Sequence, residues 1–124
     1  MKKKILIIED EQSLQTVLRD RLEDEGFDVA VALDGVEGMR KVAEQKPAVI
    51  ILDMILPRKD GFTILETLRR KKMPNGVPIL VLTNLADETN TQRMRASLVD
   101  KDRVLIKSAT SMNTVVAALK EMIV

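Results

Sequence analysis

The chain has 124 residues, 45% apolar and 31% charged, and its 20 basic residues balance 19 acids to a formal net charge of +1. That profile predicts one soluble globular domain, and the balance of charge offers no footprint for nucleic acid. With no cysteine and no histidine, disulfides, thiolate nucleophiles and imidazole chemistry are excluded, leaving carboxylates, lysines and hydroxyls.

The opening "MKKKILIIEDE" is basic, but its apolar run is too short for a signal peptide or a membrane span, which predicts a cytoplasmic protein that does not engage a membrane. That run, "ILII" at 5–8, reads as the first strand. Leu14, Val17, Leu18 and Leu22 then form a helical stripe closed by Gly26. "VAVAL" at 29–33 predicts a second strand. Asp34 and Glu37 form a capping box for a helix whose stripe is Val36, Met39, Val42 and Ala43 and whose end is marked by Pro47. "AVIIL" at 48–52 is the third strand, followed by a helix on Phe62, Leu65 and Leu68. The stretch "RRKKMPNG" at 69–76 reads as a solvated helix end running into a turn, ahead of a fourth strand in "VPILVL" at 77–82. From Asp87 to Leu98 the helical pattern is weak, because only Met94 and Leu98 carry an apolar face. "VLI" at 104–106 is the fifth strand. The last helix has the cleanest stripe, Met112, Val115, Val116, Leu119, Met122 and Ile123, with Thr110 or Ser111 placed to cap it.

Strands alternating with helices predict βαβ units with right-handed crossovers. The expected fold is α/β, a doubly wound five-stranded parallel sheet in the flavodoxin-like order 2-1-3-4-5 with five helices on both faces, all in one domain over residues 1–124. In such a sheet ligands bind beyond the carboxyl ends of the strands. Glu9, Asp10 and Glu11 follow the first strand, Asp53 the third, Thr83 the fourth and Lys107 the fifth. Each alone has an ordinary structural role, since acids and hydroxyls near helix starts often only cap or complement a dipole. Together they form a set. With strands one and three adjacent, Asp10 and Asp53 repel by about 4 kcal/mol at about 4 Å and an effective dielectric of about 20. Hard oxygen ligands with room for water suit Mg2+, and Lys107 adds a fixed positive charge. A carboxylate nucleophile, a metal, a lysine and a hydroxyl are the parts needed to receive a phosphoryl group.

The whole chain resembles the receiver domain of two-component response regulators. The resemblance rests on the acidic pair Glu9 and Asp10, the block "DMILPRKDG" from Asp53 to Gly61, Thr83 ending "VLT", and Lys107 after "VLI". It implies that Asp53 is the phosphoacceptor and that Asp10, Asp53 and the backbone carbonyl of Ile55 bind Mg2+ or Mn2+, with Glu9 helping through water. Thr83, Lys107 and the backbone amides of Met54 and Asn84 would contact the phosphoryl group, while Pro57 and Gly61 shape the loop. The implied partners are a histidine kinase or phosphotransfer protein and an unidentified downstream protein, reached by a monomer or weak dimer without an output domain. It would be a signalling domain and not an enzyme.

Val104 stands where the family usually has an inward-swinging Tyr or Phe, Ser108 where it has a proline after the active-site lysine, and "DKDRV" at 100–104 departs from the usual run before the last strand. Asn84 stands where a small residue is common. These departures raise a second reading, a receiver-like interaction module that needs no phosphate. An acid phosphohydrolase would want an Asp where Ile55 stands. A flavin binder would want a phosphate loop where "EDEQS" is acidic.

Overall fold

Strands that are apolar without alternation can be satisfied only by cover on both faces. In a computed structural model, which describes residues 2–56, 60–70, 76–84 and 88–123, they receive it. The described elements are β1 (Lys4–Ile8), α1 (Gln12–Asp24), β2 (Asp28–Ala32), α2 (Gly35–Gln45), β3 (Val49–Leu52), α3 (Gly61–Arg70), β4 (Ile79–Thr83), α4 (Glu88–Ala96), β5 (Arg103–Ile106) and α5 (Met112–Ile123). The five strands form one parallel sheet in the order β2-β1-β3-β4-β5, as the sequence predicts. Leu6, Ile8, Ile50, Leu52, Ile79 and Val81 pack on one face with residues of α2, α3 and α4. Ile5, Ile7, Val49, Ile51, Leu80 and Leu82 pack on the other with α1 and α5. No described helix is long and apolar enough to cross a membrane.

The helix ends follow local chemistry. Asp34 Oδ1 accepts a 2.8 Å hydrogen bond from the Glu37 amide, the forward half of the capping box. Gly26, at φ +96°, takes the left-handed turn that follows α1. Of the two candidate caps for α5, Ser111 does the work: its Oγ accepts from the Thr114 amide, whereas Thr110 donates to the Ile106 carbonyl.

Two helix faces differ from the stripes expected of them. In α1, Val17 is 54% exposed and Gln15 is buried in its stead. In α2, Val36 and Ala43 are exposed, and the buried positions are Gly35, Gly38 and Val42. The helix lies so close to β1 that a Cβ on Gly38 would stand 2.8 Å from Ile8 Cδ1. Contact with the strand is made by missing side chains, which an apolar periodicity cannot register. The weak helix is present as α4, with Met94 its one buried residue.

The basic stretch that ends α3 is also corrected at its start. Arg69 is not solvated: it turns inward to an ion pair with Asp102, from the divergent "DKDRV" run, and donates to the Val77 carbonyl. Lys71–Asn75 lie outside the described residues. Asp102 is buried, and its carboxylate also accepts from the amides of Ile79 at 2.8 Å and Val99 at 2.9 Å. One carboxylate thus joins the end of α3, the start of β4 and the approach to β5. Replacing it leaves a half-buried guanidinium without its counter-charge and two amides unpartnered, so Asp102→Ala should lose about 3 to 4 kcal/mol of unfolding free energy in a urea titration at unchanged slope. A loss below about 1 kcal/mol would show that water replaces the carboxylate without cost.

Candidate functional site

The sheet order places the carboxyl ends of β1 and β3 side by side, at the point where the winding reverses. Ile8 pairs with Leu52, and the next backbone bond, from the Asp53 amide to the Ile8 carbonyl at 3.1 Å, carries the pairing one residue further. On the other side the Glu9 amide donates to the Ala32 carbonyl at 3.0 Å. Backbone bonds therefore bring Glu9 and Asp53 to one level, and both are buried, at 3% and 6% exposure. Asp10 follows into the exposed turn before α1, with one carboxylate oxygen from each of Glu9, Asp10 and Asp53 lying within 4.8 Å of the others.

The opposite charge arrives from two strands away. Lys107, just past β5, places its Nζ 2.7 Å from Glu9 Oε1 and 2.8 Å from Asp53 Oδ2. Thr83, ending β4, donates from Oγ1 to Asp53 Oδ1 at 3.1 Å, and the Ile55 amide donates to the same oxygen at 3.1 Å. Burial pushes the Glu9 carboxyl up to about 7, helped by the neighbouring Asp53 and opposed by Lys107. Burial acts on Asp53 in the same sense, but hydrogen bonds from Lys107, Glu9 and the Ile55 amide outweigh it and hold Asp53 below the usual carboxylate range. Lys107 is raised despite burial, because Asp53 and Glu9 both favour its charged form. When one proton is shared in this cluster, it resides on Glu9.

Of the residues singled out from sequence, Glu9, Asp10, Asp53, Thr83 and Lys107 come together. Met54 is buried beside Asp53, and the Ile55 side chain points to solvent. Gly61 backs the loop: a Cβ there would strike Met54 Cα and stand 2.5 Å from the Asp53 carbonyl oxygen. Pro57 lies outside the described residues. Asn84 is exposed, and its Oδ1 accepts a 2.8 Å hydrogen bond from the Ser108 amide, joining the loops after β4 and β5. A proline at 108 could not donate that bond. No peptide bond among the described residues is cis, so Lys107–Ser108 is trans. The sequence reading missed Gln15, whose amide reaches the tips of β1 and β2. A polar residue inside an otherwise apolar helical face was the available signal.

Three carboxylates offering hard oxygen donors, one of them open to solvent, form a set that fits a divalent cation such as Mg2+. The neighbouring ammonium and hydroxyl suit the oxygens of an anion such as a phosphoryl group.

A family model described as the response regulator receiver domain matches residues 5–120. The alkaline phosphatase synthesis transcriptional regulatory protein PhoP of Bacillus subtilis is 43% identical over 88 residues, which cover 71% of this chain and 36% of that protein. The DNA-binding dual master transcriptional regulator RpaA of Synechocystis is 39% identical over 82 residues, covering 66% of this chain and 34% of RpaA. The chain thus spans about a third of the length of the curated relatives it matches. Among solved structures, the chemotaxis protein CheY4 of Vibrio cholerae superposes with a TM-score of 0.85 at 26% identity, over 98% of this chain and 99% of that one. The BeF3-activated receiver domain of Klebsiella pneumoniae RstA gives 0.84 at 28% identity, over 98% of each chain.

Because folding raises the Glu9 carboxyl from 4.5 to about 7, its contribution to stability is complete below about pH 4.5 and is lost as pH rises through 7. Glutamine at this position stays neutral throughout. In metal-free buffer, Glu9→Gln should therefore gain about 1 kcal/mol of stability relative to the unaltered protein between pH 6 and pH 8. A difference that stays flat across that range, in paired denaturant titrations, would mean that Glu9 remains ionised.

Proposed function

The chain belongs to the response regulator receiver domain family, and on that premise we propose that Asp53 accepts a phosphoryl group from the phosphohistidine of a histidine kinase or phosphotransfer protein. The observation that carries this reading is the Asp53 carboxylate itself, buried yet bonded at once to Lys107 and Thr83 beside Glu9 and Asp10. Residues 1–124 act as one receiver domain, a signalling domain that assists only its own phosphorylation and dephosphorylation. No enzymatic family is indicated by the match.

An Asp53 carboxylate oxygen attacks phosphorus. A new O–P bond forms as the donor's N–P bond breaks, the electron pair stays on the imidazole nitrogen, and that nitrogen takes up a proton from solvent. Asp10, Asp53, the Ile55 carbonyl and, through water, Glu9 would hold Mg2+, or Mn2+ in its place, which would supply positive charge against the negative charge of the incoming phosphoryl group. Lys107 and Thr83, which already touch Asp53, transfer their hydrogen bonds to the phosphoryl oxygens as negative charge moves outward. The backbone amides of Met54 and Asn84 flank the same group. That Lys107 and Thr83 already bond Asp53 favours this reading over a module that works without phosphate. The chain acts in the cytoplasm, and its output is altered binding of a downstream protein or onward transfer of the phosphoryl group, by a monomer or weak dimer.

The switch works without an aromatic residue. Val104 packs in the cluster that includes Met94, and its β-branch makes it stiff at χ1. When Thr83 is drawn toward the phosphoryl group, Val104 keeps its rotamer and α4 responds. That helix buries one residue; its Arg93 reaches α3 through an exposed ion pair to Glu66 and a stack on Phe62. Such an element shifts under a small bias.

With acetyl phosphate and Mg2+, the unaltered protein should gain one phosphoryl group by mass spectrometry, Asp53→Asn none, and Asp10→Ala should lose Mg2+ binding in a titration. Labelling of Asp53→Asn at the usual rate would overturn the assignment. With beryllofluoride, backbone amide shifts should extend over Asn84 and Glu88–Leu98. Shifts confined to the neighbours of Asp53 would show that phosphorylation does not reach α4.

A further inference from the structure

Gln15 lies in the first turn of α1, on the face turned toward the sheet, and is 7% exposed. A side-chain amide carries two N–H donors, and both are used: Nε2 donates to the Glu9 carbonyl at 3.1 Å and to the Ala32 carbonyl at 3.1 Å. These carbonyls end β1 and reach the end of β2, and the Glu9 amide already donates to that of Ala32. Helix packing alone calls for leucine here, since Leu18 and Leu22 continue the same face. The buried amide must therefore be explained by what it holds.

It holds a peptide plane. The carbonyl of Glu9 and the amide of Asp10 belong to one rigid unit that includes the Cα atoms of both residues. Fixing that oxygen sets the plane from which both acidic side chains depart. The residue preceding the helix, Glu11, caps no backbone amide of α1 and accepts only an exposed 3.2 Å bond from the Ser13 hydroxyl, so the turn from Glu9 to Glu11 gains little anchorage from a cap. We infer that Gln15 is a positioning residue for the cation-binding carboxylates, orienting Glu9 and Asp10 toward Asp53 from beneath without touching ligand. This inference rests on the proposed Mg2+ site and adds to it a residue that the resemblance does not supply.

The test is titration with Mg2+ alone, followed by amide shifts, together with initial labelling rates from acetyl phosphate as Mg2+ is varied. Methionine matches glutamine in length and cannot donate; Gln15→Glu keeps the shape but sets oxygen against two carbonyl oxygens. Both variants should bind Mg2+ about tenfold more weakly, with the labelling rate at saturating Mg2+ within about twofold of the unaltered protein. Val17→Ala, on the exposed side of the same helix, should match the unaltered protein in both. Thermal unfolding in EDTA identifies conditions under which each variant is folded. Unchanged Mg2+ affinity in folded Gln15→Met, or a saturated rate that falls as far as the affinity, would overturn the positioning role. Failure of the unaltered protein to bind Mg2+ would instead overturn the site on which it depends.

Discussion

A single ammonium group, Lys107 Nζ, stands between two buried carboxylates, and the upper end of the sheet is organised around it. Parallel pairing of β1 with β3 forces Glu9 and Asp53 to one level, where their charges repel. The remedy comes from β5, two strands away from β3, by way of a side chain long enough to cross β4. The attraction costs Lys107 much of its hydration, and the incomplete balance leaves Glu9 with a raised proton affinity. A site built this way holds unspent negative charge, which suits it to a cation.

The parts of the fold legible in the sequence were those fixed by short-range composition. Five apolar runs became five strands, with ends differing by a residue or two, because burial on both faces demands unbroken Val, Ile and Leu. The polar residues at the strand tips were legible for the converse reason: a carboxylate or lysine closing such a run has no place in the core. Helix faces were less legible. Val17 and Val36 are apolar and exposed, whereas Gln15, Gly35 and Gly38 are buried, because close approach and carbonyl bonding decide these positions. The pairing of Arg69 with Asp102 was not legible at all, since it joins residues 33 positions apart and leaves no local pattern.

The two ends of the sheet are thus held by different means. At the carboxyl ends, charges converge on groups that must remain available to a ligand. At the opposite end of β4, Asp102 has its charge neutralised by Arg69 and its oxygens occupied by backbone amides. The divergent "DKDRV" run therefore supplies a structural joint away from the site. α4 lies along the same side of the sheet, tied to α3 mainly by surface contacts, so rigidity at the joint and compliance in the helix coexist within one face.

The outer strands carry a consequence of their own. β2 begins at Asp28, which pairs with Lys4, and β5 is four residues long, opening on Arg103 and ending on the half-exposed Ile106. Unpaired backbone on a lateral strand is a template for adding another chain, and short length and charge are the usual protections against it. Neither margin of this sheet offers a long apolar ladder to a neighbour. Strand addition, and with it accidental fibre growth, finds no ready starting edge at either margin.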